Sequence, residues 1–330
     1  MENTTRDVAT RHSRGMLGVS ISKNNEPHHH RFVFVYFTRS SGLNDTNGGR
    51  GEKSGGNVLY RYELIGSKLS NPHLLLELPP KKHPDHNGGA LIIGPDANIY
   101  IPIGESGNDT TGAQNVIGGR PPNGSGGILA ITQEGSSVRH IISNSGIAGK
   151  YYAYGIRNSF GLDFDPVSGK LWDTENGPDK NDEINLVNPG FNSGWLKVHG
   201  KSTGDFNSSQ LEGFDGKGGY SDPEFSWKKT VGLTKIRFLN SEKLGKEYEN
   251  DIFVADIKNG DIYHFKLNEK RNGLILSGAL GDKVADSDEE VNQLIFGSGF
   301  GGITDLDVGP DGYLYVLSFG KGAIYKISPK

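Results

Sequence analysis

Residues 154–195 read YGIRNSFGLDFDPVSGKLWDTENGPDKNDEINLVNPGFNSGW. Two short runs, 161–164 and 170–173, have the aliphatic and aromatic character of strands, and the Asp-Pro…Ser-Gly text between them is a tight-turn signal. Ahead of the pair stands Arg157-Asn158, a fixed cation beside an amide. Behind it, residues 176–183 (NGPDKNDE) form a polar loop with several acidic and amide oxygens close together. A strand pair carrying a cation and a hard-oxygen loop at one end has the makings of a site as well as of a core.

The same phrasing runs outward in both directions. Upstream, strand-like runs at 17–22, 31–38, 57–64 and 73–78 form one group, and 90–93, 98–104, 127–132 and 139–143 a second. The opening stretch supplies the third, with 161–164, 170–174, 183–187 and 195–199. A fourth follows at 233–239, 251–256, 261–267 and 273–280, and three strands of a fifth at 302–308, 313–319 and 323–327. A hairpin phrase recurs as GPDANIYIPIG at Gly94, FDPVSGKLWDTENG at Phe164 and GPDGYLYVLSFG at Gly309. Four-stranded units recurring at roughly 40–70 residues predict an all-β chain, a β-propeller with about five blades present. A β-sandwich competes, but a repeated hairpin phrase argues for repeated units. Helical periodicity is nearly absent; residues 242–249 allow a turn or two. Residues 15–330 read as a single propeller domain, and 1–14 as a disordered or truncated segment, so the expectation is that a first blade and the strand completing the last lie upstream. The long polar loops 38–56, 104–126 and 200–227 are expected to wall a ligand site.

Composition agrees and narrows the function. Gly 49 and Pro 15 among 330 residues fit many tight turns. Cys 0 removes disulfides, zinc-thiolate sites and thiol nucleophiles. A formal charge of −4 gives no reason to expect nucleic acid or an anionic membrane as partner. No apolar run approaches the ~20 residues of a membrane span, and the polar residues 1–14 do not read as a signal peptide.

Several residues have chemistry to offer, each beside a plainer reading. His86, in HPDHNGGALIIG before a strand, can serve as a general base, or is simply held by its Asn-Gly-Gly turn. Glu105 ends the next strand, where it can orient His86 or stay an exposed acid. Arg157 offers a planar fork for a carboxylate or quinone oxygen, or a structural ion pair to Asp163 or Asp173. The oxygens of 176–183 suit Ca²⁺, although this is not an EF-hand loop and acidic loops are commonly just solvated. Lys258, in VADIKNGDIYHF, can meet an anion or sit in a hairpin turn. The run His28–His30 and the acidic stretch 282–290 read as solvated.

Together these motifs resemble the glucose/sorbosone dehydrogenases. The resemblance covers 15–327 and is carried by GMLGVSIS, HNGGALIIGPDANIYIPIGESG, the opening stretch, ADIKNGDIYHFKL and DLDVGPDGYLYVLS, in that order. It implies a six-bladed propeller that oxidises an aldose sugar at C1 to the lactone, using pyrroloquinoline quinone (PQQ) and Ca²⁺ and passing electrons to an acceptor. By position, His86 matches the catalytic base, with Glu105 at the family's strand-end Asp. Arg157 and Asn158 match the Arg-Asn pair at the cofactor, and Asn176 and Lys258 match cofactor neighbours. The carbonyls of Gly177 and Pro178 match the loop that holds the cofactor-side calcium. Asp182 and Glu183 match an acidic pair used around calcium, and the Ser193 carbonyl a further ligand position. The resemblance also implies an extracytoplasmic protein, periplasmic or secreted.

The chain departs from the family pattern in four places. Gly302-Ile303-Thr304-Asp305 stands where a closely spaced arginine pair precedes the last blade's Asp. Glu105 is one methylene longer than the family's Asp, Ser13 replaces a Glu or Gln, and the first blade is missing. A calcium-binding propeller without redox chemistry therefore stands as the alternative. A calcium-dependent lactonase ranks behind it, because the acids cluster on one loop.

Overall fold

The tight turn at the centre of the opening stretch forms as its text suggests. In the computed structural model, Ser159–Phe164 pairs antiparallel with Leu171–Glu175, placing Leu171 opposite Phe164 and Asp173 opposite Leu162. Asp165 closes the turn: its amide donates to the Lys170 carbonyl (2.9 Å) and its carboxylate accepts from the Val167 amide (3.1 Å) and the Ser168 hydroxyl. The structure describes residues 8–9, 13–22, 31–40, 55–80, 84–105, 107, 110–138 and 141–329. The histidine run at 28–30 lies outside them.

Among the described residues the chain forms consecutive antiparallel sheets, and it falls into two compact units. One unit comprises residues 1–158, 189–196 and 208–219. Its first sheet orders Met16–Ile21, Arg31–Thr38, Asn57–Ile65 and Lys68–Glu77 side by side in sequence. Phe34 and Tyr36 face a core shared with Leu59, Ile99, Ile101 and Leu129, while Val33, Val35 and Phe37 face a smaller cluster with Val58. Burial on both faces is why Arg31–Thr38 reads as an almost unbroken apolar run. The second sheet contains Ile92–Ile93, Ile99–Ile103, Gly127–Ile131 and Tyr151–Tyr154, with Phe191–Asn192 added in parallel beside the last.

The other unit comprises residues 159–188, 197–207 and 220–330. Leu171–Glu175 pairs with Lys180–Val187, which pairs with Phe225–Lys229. A further sheet holds Leu233–Phe238, Ile252–Asp256, Ile262–Phe265 and Ile295–Gly297, and a three-stranded one holds Ile303–Val308, Leu314–Ser318 and Ala323–Lys326. Trp172, Phe225, Trp227, Tyr263 and Phe265 meet in its core, with Trp227 and Tyr263 ring centroids 5.2 Å apart.

The inner strands of each group fall where the hairpin text puts them, and three outer strands do not. Tyr151–Tyr154 completes the second group, the strand expected at 139–143 lying partly outside the described residues, and Phe225–Lys229 rather than 195–199 pairs with Lys180–Val187. Ile295–Gly297 rather than 273–280 completes the fourth, where Leu274 contributes a single bridge to Leu267. Outer strands follow long insertions, so no short turn fixes their register. Within 242–249 only a 3₁₀ turn forms, Lys246–Tyr248, while the acidic stretch carries a seven-residue α-helix, Asp288–Leu294. Ser287 caps that helix by accepting from the Glu290 amide, and three acids in its first turn suit the helix dipole. Among the described residues no helix is long and apolar enough to cross a membrane.

Asp165 also pins its hairpin to a distant turn. Arg271 Nε donates to Oδ2 (2.6 Å) and Nη2 to Oδ1 (2.7 Å), while Nη2 also reaches the Asn250 carbonyl (2.7 Å). Burial alone would raise the Asp165 carboxyl; the Arg271, Ser168 and Val167 bonds outweigh it and hold it below the usual carboxylate range. A depressed pKa contributes stability that is present above the unfolded value and lost as pH falls through the folded one. Arg271→Ala is therefore expected to cost about 3 kcal/mol at neutral pH, because it leaves a buried carboxylate uncompensated. The deficit is expected to shrink in acid, and denaturant unfolding at pH 7 and pH 3 checks both.

Candidate functional site

The first unit holds His86, Glu105 and Arg157 around one strand end. Ile99–Ile103 runs into Gly104 and Glu105, and the Glu105 amide donates to the Arg157 carbonyl (2.8 Å). A side chain at Gly104 has no room: its β-carbon would lie 2.6 Å from the His86 β-carbon and 2.8 Å from the Arg157 carbonyl oxygen. His86 Nδ1 lies 3.0 Å from Glu105 Oε1, with both side chains largely buried. Glu105 Oε2 accepts from the Gly107 amide. Burial alone would raise the Glu105 carboxyl; the His86 hydrogen bond and charge, the Gly107 amide and the Arg157 charge outweigh it and hold it below the usual range. An ionised Glu105 accepts a hydrogen bond from Nδ1–H, which fixes the tautomer and leaves Nε2 to carry the lone pair. This is the geometry of a base with its orienting acid. The Arg157 guanidinium stands over the Trp195 ring, 5.5 Å from the centroid; of the two acids expected for it, Asp163 pairs with Arg237 (3.2 Å).

The Arg157 turn is built on two buried amides that no motif announces. Asn115 Nδ2 donates to Asn192 Oδ1 (3.0 Å), and Asn192 Nδ2 returns a bond to Asn115 Oδ1 (2.8 Å). Asn115 Nδ2 also reaches the Trp195 carbonyl (2.7 Å), and Asn192 Oδ1 accepts the Gly194 amide (2.9 Å). The Trp195 amide then donates to the Gly155 carbonyl (2.8 Å), and the Ser193 amide to the Tyr154 carbonyl (3.1 Å). The pair thus ties the segment holding Ser193 and Trp195 to the turn leading into Arg157 and Asn158.

In the second unit, strand alternation separates two acids that are adjacent in sequence. On Lys180–Val187, Asp182 stands opposite Trp227 and shares its face with Ile184, whereas Glu183 stands opposite Ser226 on the other face. Their carboxylates cannot serve one calcium as a pair. Asp182 is a loop anchor: Oδ1 accepts the Gly177 amide (2.9 Å), and Oδ2 the Val231 (2.8 Å) and Gly232 (2.7 Å) amides. The Gly177-Pro178 turn is therefore shaped by Asp182, and Asn176 is held by Nδ2 donating to the Leu233 carbonyl (2.8 Å). Lys258 joins the same corner, with Nζ donating to the Thr230 carbonyl (3.1 Å) and its positive charge acting on Asp182.

Glu183 faces acids that the sequence reading left unassigned. Glu175 is directly opposite it, and Asp173 lies two residues along the same face, opposite Asn185. All three carboxylates are buried. Burial, then the Glu175 charge, push Asp173 up to about 8. Ser159 and Asn185 pull the other way but do not reach bonding geometry, and neither Asp173 oxygen has a hydrogen-bond partner. Burial and the Glu175 charge also raise Glu183, against the Gly200 amide that it accepts. A strictly alternating polar face is the signal for these acids, but it reads as solvent-facing until the sheet is covered. Among the described residues, no three or more His, Asp or Glu side chains gather to hold a metal ion.

An acid whose folded pKa is raised keeps a proton that the unfolded chain releases, so stability falls as pH rises between about 3.9 and the folded value. In calcium-free buffer the denaturation midpoint is expected to fall between pH 5 and pH 8. Asp173→Asn is expected to remove part of that fall, with a gain on the order of 2 kcal/mol at pH 8 relative to pH 5. An unchanged slope in the variant would show that Asp173 does not hold the proton.

The chain is similar to known proteins in sequence and in fold. The chain is 29% identical over 258 residues to aldose sugar dehydrogenase YliI of Escherichia coli K12, covering 77% of this chain and 63% of that protein. It is 37% identical over 155 residues to quinoprotein glucose dehydrogenase B of Acinetobacter calcoaceticus, covering 43% and 32%. The chain thus spans less than two thirds of the length of either relative. In fold it is similar to the PQQ-bound aldose sugar dehydrogenase of Streptomyces coelicolor, with a TM-score of 0.68 and 22% identity, covering 98% of this chain and 82% of the other. Residues 2–326 match the family described as Glucose / Sorbosone dehydrogenase, and the chain belongs to that family.

Proposed function

We propose that this chain is the core of a quinoprotein that oxidises an aldose sugar at C1 to the lactone, with His86 as general base. The observation that carries the reading is the His86–Glu105 pair at 3.0 Å, with the Arg157 charge acting on Glu105. The relatives named as a quinoprotein and as sugar dehydrogenases support it. His86 Nε2 takes the proton of the C1 hydroxyl while Glu105 stabilises the imidazolium that results. PQQ, when bound, would accept the hydride equivalent from C1. Glu105 and Arg157 are counted with His86 as the catalytic set.

The residues fit an anionic, oxygen-rich cofactor. Arg157 and Asn158 offer a fork and an amide in the first unit, and the Arg157 charge would steady negative charge developing on a bound quinone. Lys258 and Asn176 are proposed as cofactor neighbours from the resemblance alone. For calcium, the carbonyls of Gly177 and Pro178 are the proposed hard-oxygen ligands on one side of the strand, and the Glu183 carboxylate, on its other face, is proposed as a separate calcium ligand from the resemblance alone. Asp182 orients this loop rather than ligating. The Ser193 carbonyl is proposed from the resemblance alone. The electron acceptor, an extracytoplasmic setting and a single propeller domain over 15–330 belong to the same reading.

A second reading, a calcium-binding propeller without redox chemistry, has one observation in its favour. Gly302 has a φ of +69°, and a β-carbon there would lie 3.0 Å from the Ile257 carbonyl oxygen, so an arginine at that position would be strained. Reconstitution with PQQ, Ca²⁺, an artificial acceptor and a panel of aldoses separates the two. The enzyme reading expects turnover that requires both additions, and a loss of about 10²–10⁴-fold in kcat in His86→Gln. Absence of turnover and of any change in quinone absorbance on titration, with calcium still raising the thermal midpoint, would establish the second reading instead.

A further inference from the structure

His86 adopts a left-handed backbone conformation, φ 61°, which a β-carbon disfavours. Its surroundings must therefore impose that conformation, and what imposes it lies in the first sheet. The next residue, Asn87, is 3% exposed and is held at three atoms. Its Nδ2 donates to the Pro84 carbonyl (2.6 Å) and the Ser13 carbonyl (3.0 Å). Its carbonyl accepts from the Tyr36 hydroxyl (3.0 Å), and its Oδ1 from Asn57 Nδ2 (3.2 Å). Asn57 Nδ2 also donates to the Tyr36 hydroxyl (2.8 Å), and its Oδ1 accepts from the Thr38 hydroxyl (2.8 Å). Tyr36, Thr38 and Asn57 are all buried. Asn57 stands opposite Thr38 where Arg31–Thr38 and Asn57–Ile65 end, so these side chains belong to the rigid end of a sheet.

We propose that Asn57, with Tyr36, is a positioning residue for the general base, setting the direction of the His86 imidazole through the Asn87 main chain. A buried amide that satisfies its bonds by gripping a neighbouring loop costs little in the folded state and removes the loop's freedom. The loop's remaining freedom is what would let the imidazole swing off Glu105. Neither Asn57 nor Tyr36 contacts His86 itself in any hydrogen bond described above, so their effect is indirect.

The inference rests on His86 being the base, and the experiment keeps the two claims apart. Tyr36→Phe removes one hydroxyl and keeps the ring; Asn57→Ala removes the amide. In PQQ- and Ca²⁺-reconstituted enzyme, each is expected to lower kcat about 10-fold with KM within about 2-fold, because a small misplacement of a catalytic group costs rate more than binding. Each is expected to move the acidic limb of the kcat/KM profile. Combined with His86→Gln, neither is expected to add more than about 2-fold, since both act through the imidazole. The His86 imidazole NMR signals, assigned by their absence in His86→Gln, need no turnover; their chemical shifts are expected to move in both variants. A lowered thermal midpoint with unmoved His86 signals and pH profile would overturn the proposal and leave Asn57 a structural residue. Wild-type protein without turnover would overturn the function, while displaced His86 signals in the same preparations would still support the positioning role.

Discussion

Glycine 104 leaves no room for a side chain, and the candidate site of the first unit depends on that. The His86 and Arg157 loops approach the strand end from two sides, with a β-carbon at Gly104 only 2.6 Å from one and 2.8 Å from the other. The close approach lets the Glu105 amide reach the Arg157 carbonyl while its carboxylate turns to His86. One residue of strand end thus meets the His86 imidazole on one side and the Arg157 backbone on the other. Glu105 has the length to do this and still accept from the Gly107 amide, so the added methylene relative to an aspartate is absorbed by the turn that follows.

The second unit solves a different problem, the burial of charge. Asp182 sits on the face that carries Ile184 and Trp227, where an unsatisfied carboxylate would be costly. Three backbone amides satisfy it, and in doing so they fix the Gly177 turn and the Val231-Gly232 turn relative to each other. On the opposite face, Asp173, Glu175 and Glu183 repel one another in a buried setting. Like charges held this close keep a proton or favour a cation. The strand therefore turns one acid into scaffold and leaves the next one chemically unsettled.

Hairpins were legible in the sequence because their determinants are local. An Asp-Pro…Ser-Gly turn flanked by alternating residues specifies 159–175 without help from elsewhere, and the inner strands of the other groups follow the same rule. Tyr151–Tyr154 and Phe225–Lys229 were missed because their partners are chosen by long-range packing after irregular insertions. The site divides in the same way. His86, Glu105 and Arg157 were readable as motif residues, yet Asn57, Asn115 and Asn192, which hold their loops, carry no pattern. A buried asparagine looks like any turn asparagine until the donors and acceptors around it are known. Strand alternation sends Asp182 and Glu183 to opposite faces, but reading 176–183 as a loop paired them.

The place of the absent arginines is physically committed. Gly302 lies against the Ile257 carbonyl, and a β-carbon at Gly260 would strike the Gly302 amide at 2.6 Å, so these turns pack backbone to backbone. The Gly320 amide donates to the Gly301 carbonyl (2.8 Å), and the Phe319 amide to the Gly302 carbonyl (2.9 Å). Restoring a long cationic side chain at 302 would push on Ile257 and hence on Lys258 beside it. The same packing that strains a side chain at 302 therefore steadies the turn bearing Lys258. A lysine meets an anion as a compact point charge rather than as a planar fork, so an anion meeting this turn would be held by charge and by backbone shape.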